Sequence, residues 1–180
     1  MTDDASLRPD EFRYLILALQ RQGSRRLNAL FADIGLTNAQ AETIEVLGEC
    51  GPISTREVGK YLVCESGSPS RLLATLSKKG LSVAAQSHED KRLTLHALSP
   101  DGRAVLQEIQ HRQGAFEADL AEQLEELGSG CGERLDHELA RLVTDPELKG
   151  ALQRRFPHLF DREGDGRCLL YTSDAADEED

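Results

Sequence analysis

Two short stretches of this chain hold side chains suited to gripping a polyanion. In the first, Leu72, Leu73 and Leu76 recur at helical spacing, which leaves Ser68, Ser70, Arg71 and Thr75 for the outer side. Hydroxyls and a guanidinium can bond both phosphate oxygens and base edges. In the second, Ser87-His88-Glu89-Asp90-Lys91-Arg92 is a charged tip between two short apolar runs. An arginine carried on such a tip suits a narrow minor groove. Asp90, Lys91 and Arg92 therefore join the helical set as candidate nucleic-acid contacts.

The surrounding elements must aim these groups. Asp10 to Phe31 shows helical spacing through Phe12, Leu15, Ile16, Leu19, Leu27, Leu30 and Phe31, with Gly23-Ser24 as a candidate kink. Thr37 caps a second helix from about Asn38 to Cys50, with Ile44 and Leu47 inward, and Gly51-Pro52 stops it. Ser54-Thr55-Arg56-Glu57 is a capping box that opens a short helix to about Leu62. A turn follows, and Ser66 is placed to cap the next helix, which carries Pro69 in its first turn and ends at Gly80.

Leu81 to Gln86 and Arg92 to Leu98 are strand candidates around the charged tip. Ser99-Pro100 restarts a helix that runs towards Leu127. After Gly128-Ser129-Gly130, a last helix covers about Gly132 to Val143, and Pro146 starts a short turn. The order is that of a winged helix-turn-helix. The expected fold is mainly α with a small β-hairpin wing, flanked by N- and C-terminal helices too apolar on one face to stand free. A second copy of the chain would cover them in a symmetric dimer. The implied divisions are 10–34 for an N-terminal dimerisation helix, 36–104 for the winged domain and 105–160 for C-terminal dimerisation helices.

Net charge is −11 over 180 residues, which by itself argues against nucleic acid. Its distribution does not. Between Pro52 and Arg103 the eight basic residues Arg56, Lys60, Arg71, Lys78, Lys79, Lys91, Arg92 and Arg103 outnumber the five acids Glu57, Glu65, Glu89, Asp90 and Asp101. Phosphate binding needs a local basic face, not a basic protein. With no Trp and only 4% aromatic residues, the core must be built from Leu, Ile, Val and Ala. No apolar run reaches membrane-span length and the first residues lack a signal-peptide pattern, so a cytoplasmic protein is expected.

Other chemistries find less support. No Ser/His/Asp or Cys/His set has a catalytic context, so no enzyme and no cofactor is expected. Glu133 and His137 are four apart and His111 could join them, but surface ion pairing is the better account and no metal is expected. Cys50, Cys64 and Cys131 raise the question of redox sensing, against the plainer reading of small buried hydrophobes. Arg71 has a structural alternative, a buried pairing with an acid, and Asp90 with Arg92 could serve to hold the hairpin. Lys78 and Lys79 read as solvated helix-end charges.

Four stretches, in this order and spacing, resemble the MarR family of bacterial transcription regulators over about Asp10 to Leu142. They are Gly35-Leu36-Thr37-Asn38-Ala39-Gln40; Gly51-Pro52-Ile53-Ser54-Thr55-Arg56-Glu57-Val58; Ser68-Pro69-Ser70-Arg71-Leu72-Leu73 through Lys79-Gly80-Leu81; and Asp90-Lys91-Arg92 with Leu98-Ser99-Pro100-Asp101-Gly102-Arg103. The resemblance implies a dimeric, ligand-responsive regulator, most often a repressor, with both wings straddling a double-stranded DNA operator. Ser68, Ser70 and Arg71 match major-groove positions, and Asp90 orients Arg92 towards the minor groove. A small-molecule effector of unspecified identity would sit between the winged domain and the dimer helices. Gly67-Ser68-Pro69 departs from the family, where larger polar residues and a Val are common. The alternative is a winged-helix module for protein–protein contact without DNA binding.

Residues 161–180 are expected to be disordered. Within them Cys168 to Glu178 matches the translation of a transposon-end sequencing adapter, so Cys168–Asp180 is expected to be a reading artefact, with the true C-terminus lying somewhere beyond about Arg167.

Overall fold

The computed structural model describes residues 8–64, 68–126, 128 and 131–160. The expectations for Ser66 as a cap, for the 161–180 tail and for the adapter-like segment fall outside them. So do the side chains of Cys131 and Glu133.

Among the described residues, seven helices and three strands follow one another: α1 Pro9–Phe31, α2 Asn38–Cys50, β1 Ile53–Ser54, α3 Thr55–Gly59, α4 Pro69–Lys78, β2 Ser82–Gln86, β3 Thr94–Leu98, α5 Pro100–Glu126, α6 Cys131–Leu142 and α7 Pro146–Arg155. A 3₁₀ turn, Pro157–Leu159, closes the described part. The architecture is the mainly helical winged helix-turn-helix that the sequence implies. α1 passes through Gly23 and Ser24 as one continuous helix. The Ser24 carbonyl still bonds forward, accepting from Asn28 Nδ2 at 2.8 Å.

Two elements differ from the sequence expectation. The sheet has three strands in the order β1-β3-β2, because Ile53 and Ser54 pair antiparallel with His96 and Leu95. The segment after Pro146 is a full helix rather than a turn. Asp145 caps it by accepting from the amides of Glu147 and Leu148, and Pro146 occupies its first position.

The core is aliphatic, as the scarcity of aromatics requires. Phe31 and Leu36 meet Ile44 and Leu47 of α2, Val58 of α3, Leu73 and Leu76 of α4, Leu98 of β3 and Ile109 of α5. At least one residue of every element from α1 to α5 except β2 thus lies in or against a single cluster, Ile53 of β1 included, which fixes the reading elements relative to the long helices. Arg112 of α5 adds a polar tie: its guanidinium bonds Leu30 O at 3.0 Å, Asp33 at 2.6 Å and Glu108 at 2.6 Å. The hydrogen bond from Arg112 also lowers the pKa of the exposed Asp33.

The long helices leave apolar surface bare in the single chain. Tyr14, Leu15, Leu17 and Leu19 of α1 and Leu139 and Leu142 of α6 are all exposed. Among the described residues, no helix is long and apolar enough to cross a membrane.

Candidate nucleic-acid interface

α3 begins with both halves of the capping box in place. Ser54 Oγ accepts from the Glu57 amide at 3.3 Å, and Glu57 Oε2 accepts from the Ser54 amide at 3.0 Å. The bonds from Ser54 hold the Glu57 carboxyl below its ordinary pKa. α3 packs closely on the start of α4: a Cβ added to Gly59 would lie 3.0 Å from Pro69 Cγ.

α4 presents two faces. Leu72, Leu73 and Leu76 are buried, and Ser68, Ser70 and Arg71 are exposed. Arg71 is therefore not the buried structural arginine that its position alone allowed. Thr75 is half-buried, and its hydroxyl donates to the Arg71 carbonyl at 2.9 Å, so its free capacity is as an acceptor. Ser68 takes the N-cap position of α4 without a side-chain cap bond, so its hydroxyl is not used by the helix. At the other end, Lys79 is more than a solvated charge. Its ammonium bonds the Gly35 carbonyl and, at 2.9 Å, Gln40 Oε1. The Gln of the stretch starting at Gly35 thus anchors the C-terminus of α4.

The wing grows from that end. β2 and β3 pair from Ser82↔Leu98 to Gln86↔Thr94. The tip closes through Ser87 N to Leu93 O and Leu93 N to Asp90 O, both at 2.9 Å. Ser87 Oγ accepts from the amides of Glu89 and Asp90. Asp90 Oδ1 accepts from the Arg92 amide at 2.9 Å. Asp90 thus acts on the backbone of Arg92 and shapes the turn from which the side chain leaves. Lys91 and Arg92 are exposed. No hydrogen bond or ion pair links the α4 set to the wing set among the described residues. They are two separate groups of donors carried on adjoining elements.

Behind the wing, the stretch from Leu98 to Arg103 is a tight junction. Ser99 Oγ donates to Gly80 O at 2.6 Å and accepts from the Gly102 amide at 2.9 Å. The Ser99 amide donates to Leu81 O at 3.1 Å, and Arg103 bonds Leu98 O at 3.0 Å. Gly102 is buried where α5 passes the start of β2, with no room for a side chain. The end of α4, the wing and α5 are fixed together there.

Residues 36–102 match a family model described as a winged helix DNA-binding domain. Over 100 residues the chain is 29% identical to the multiple antibiotic resistance protein MarR of Salmonella typhimurium, covering 56% of this chain and 69% of that protein. It is 27% identical over 95 residues to the organic hydroperoxide resistance transcriptional regulator of Bacillus subtilis, covering 53% of this chain and 64% of that one. Among solved structures, a probable transcriptional regulator from Pseudomonas aeruginosa is 31% identical, with TM-score 0.60, covering 76% of this chain and all of that one. The S. aureus MepR–DNA complex shares the fold, with TM-score 0.66 at 19% identity, covering 73% and 95%. The chain belongs to the MarR family of winged helix-turn-helix transcriptional regulators. The part that the family model matches is a winged helix DNA-binding domain. The match spans just under two thirds of the Bacillus subtilis relative.

Sequence reasoning missed a polar knot beside α4. Glu42 of α2 is only 4% exposed, yet its carboxylate accepts from the amides of Val63 at 2.8 Å and Cys64 at 2.9 Å. Arg155 of α7 pairs with it at 2.7 Å and with Glu45 at 3.5 Å. Burial raises the pKa of Glu45, against a hydrogen bond from Gln113 and the charge of Arg155. An acid beside the inward Ala41, Thr43 and Ile44 is the signal that sequence could have offered, but its partner lies 113 residues away.

Proposed function

We propose that this MarR-family chain works as a cytoplasmic homodimer that reads a DNA operator as a ligand-responsive repressor. α4 enters the major groove with Ser68, Ser70, Arg71 and Thr75, and the wing meets the minor groove with Arg92, assisted by Lys91 and shaped by Asp90. The observation that carries this reading is the division of α4. Its leucines are locked in the core, which holds the exposed Arg71 and the free Ser68 and Ser70 hydroxyls outward on a rigid element. MepR, a relative in fold, is solved as a complex with DNA, which supports DNA binding as such. The bare apolar faces of α1 and α6 supply the dimer surface. An effector between the winged domain and those helices would act by favouring one spacing of the two wings.

The name of the Bacillus subtilis relative raises hydroperoxide sensing. Cys64 does not favour that role here, because burial and the adjacent Glu42 carboxylate push its thiol up to about 11, and peroxide reacts with the thiolate. The test is a mobility-shift titration of the full chain on DNA from upstream of its own gene, at low and at raised salt. Binding that weakens steeply with salt supports the reading. No shift at low salt would instead favour a winged-helix module for protein–protein contact.

A further inference from the structure

We infer that Arg155, on the last turn of α7, is a positioning residue for DNA reading: it holds the buried Glu42 carboxylate that pins Val63 and Cys64 between α3 and α4. The inference rests on the DNA-reading role of α4 proposed above. Val63 and Cys64 lie between α3 and α4, where their amides have no helical partner. Glu42 supplies one from each of its oxygens, Oε1 to Val63 and Oε2 to Cys64. A single side chain thereby fixes two successive peptide units after α3, in the connection towards the reading helix.

A carboxylate can do this from a buried place only if its charge is balanced there. Arg155 is the cation that meets it among the described residues, and that side chain is itself only 16% exposed. Its guanidinium is divided between Glu42 and Glu45, so it is not available to a phosphate. The preceding residue works on the same connection: Arg154 donates to Lys60 O, at the end of α3, at 3.2 Å. Two consecutive arginines thus act on the first part of the α3–α4 connection, Arg154 directly at Lys60 and Arg155 through Glu42 at Val63 and Cys64. α7 is seated for the task by buried Ala151 and by the Asp145 cap. The C-terminal helix is in this way part of the reading device, although it lies outside the winged domain in sequence.

The test uses the full chain, its own upstream DNA and two variants, Arg155→Met and Glu42→Gln. Each is followed by DNA titration across salt, by thermal melting and by amide hydrogen exchange. For Arg155→Met, operator affinity should fall about tenfold, equal to ~1.4 kcal/mol, at a temperature where the protein is fully folded. Exchange should quicken at Val63 and Cys64 above all, and the salt slope should stay at the wild-type value. A slope reduced by about one would mean that Arg155 touches phosphate itself, which overturns the inference. So would native affinity in a folded Arg155→Met protein. If that variant does not fold, Glu42→Gln decides, since it keeps an acceptor and removes the charge that Arg155 balances. Faster exchange at Val63 and Cys64 with weaker DNA binding upholds the inference; faster exchange with native affinity, or no change in exchange, overturns it. Failure of the wild type to bind DNA refutes the reading of α4 instead, and is seen before either variant is made.

Discussion

Gly102→Ala should damage this protein far more than a glycine substitution in a helix usually does. A methyl group on Gly102 would stand 1.9 Å from Leu81 O and 2.9 Å from Leu81 C. Ordinary contact begins at 3.4 Å, so α5 and the start of β2 must part by about 1.5 Å. Both sides of the clash are backbone, and Leu81 O is already engaged by the Ser99 amide. The parting strains that bond and those of Ser99 Oγ to Gly80 O and the Gly102 amide. Overpacking of this kind costs roughly 1–3 kcal/mol, and a backbone clash with no rotamer to relieve it belongs near 3. For a chain of this size that is a fall in Tm of about 6–12 °C. Gly114 in the same helix is the control, because a Cβ there meets nothing within 4 Å. Gly114→Ala should be neutral or stabilising by about 0.5–1 kcal/mol. Urea melts of the two variants measure the contrast. Equal stability of Gly102→Ala and Gly114→Ala would refute the tight junction behind the wing.

Arg92→Ala should weaken operator binding by roughly 1–3 kcal/mol and leave the melting temperature unchanged, because the side chain is exposed on the wing tip; a shift titration beside a thermal melt checks both. Replacing Leu15 and Leu139, which are 61% and 36% exposed in the single chain, with Asp should give monomer or aggregate by light scattering, since a carboxylate buried in an interface costs several kcal/mol. A native dimer would remove those faces from the interface. His96 predicts a pH effect. Burial in β3 lowers its imidazole pKa below the ordinary 6.5, and its Nε2 shares a hydrogen bond of 3.0 Å with Thr55 at the start of α3. The folded chain thus binds this proton less readily than the unfolded one. The contribution is fully present above the unfolded pKa and is lost as pH falls through it towards the folded value. His96→Gln should flatten the change in Tm between about pH 8 and about pH 5.5; an unaltered pH profile would contradict the assignment.

The sequence carried what local rules encode. The capping box at Ser54 and Glu57, the Thr37 cap and the Leu72, Leu73 and Leu76 stripe depend on neighbours within a few residues, and each is legible in the residue order. β1 is not, because two residues carry no alternation and their partner strand lies some forty residues on. α7 was hidden by its short apolar content in PELKGALQRR, although Asp145-Pro146 is a start signal. Lys79 looked like a solvated charge, and nothing in the sequence singled out Arg155, because a long side chain's partner is chosen by the fold. Glu42 belongs to the same class: nothing near it in sequence states that it bonds Val63, Cys64 and Arg155.

The central claim is that α4 and the wing read neighbouring grooves from a symmetric pair of chains. A hydroxyl-radical footprint of the full chain on its own upstream DNA tests it most directly. Two protected half-sites should appear on one face of the duplex, about one helical turn or 34–36 Å apart, each flanked by minor-groove protection. Arg92→Ala should erase the flanks and spare the centres, while Arg71→Ala should weaken the centres. A single unpaired patch, flanks unchanged by Arg92→Ala, or no footprint at low salt would contradict the account.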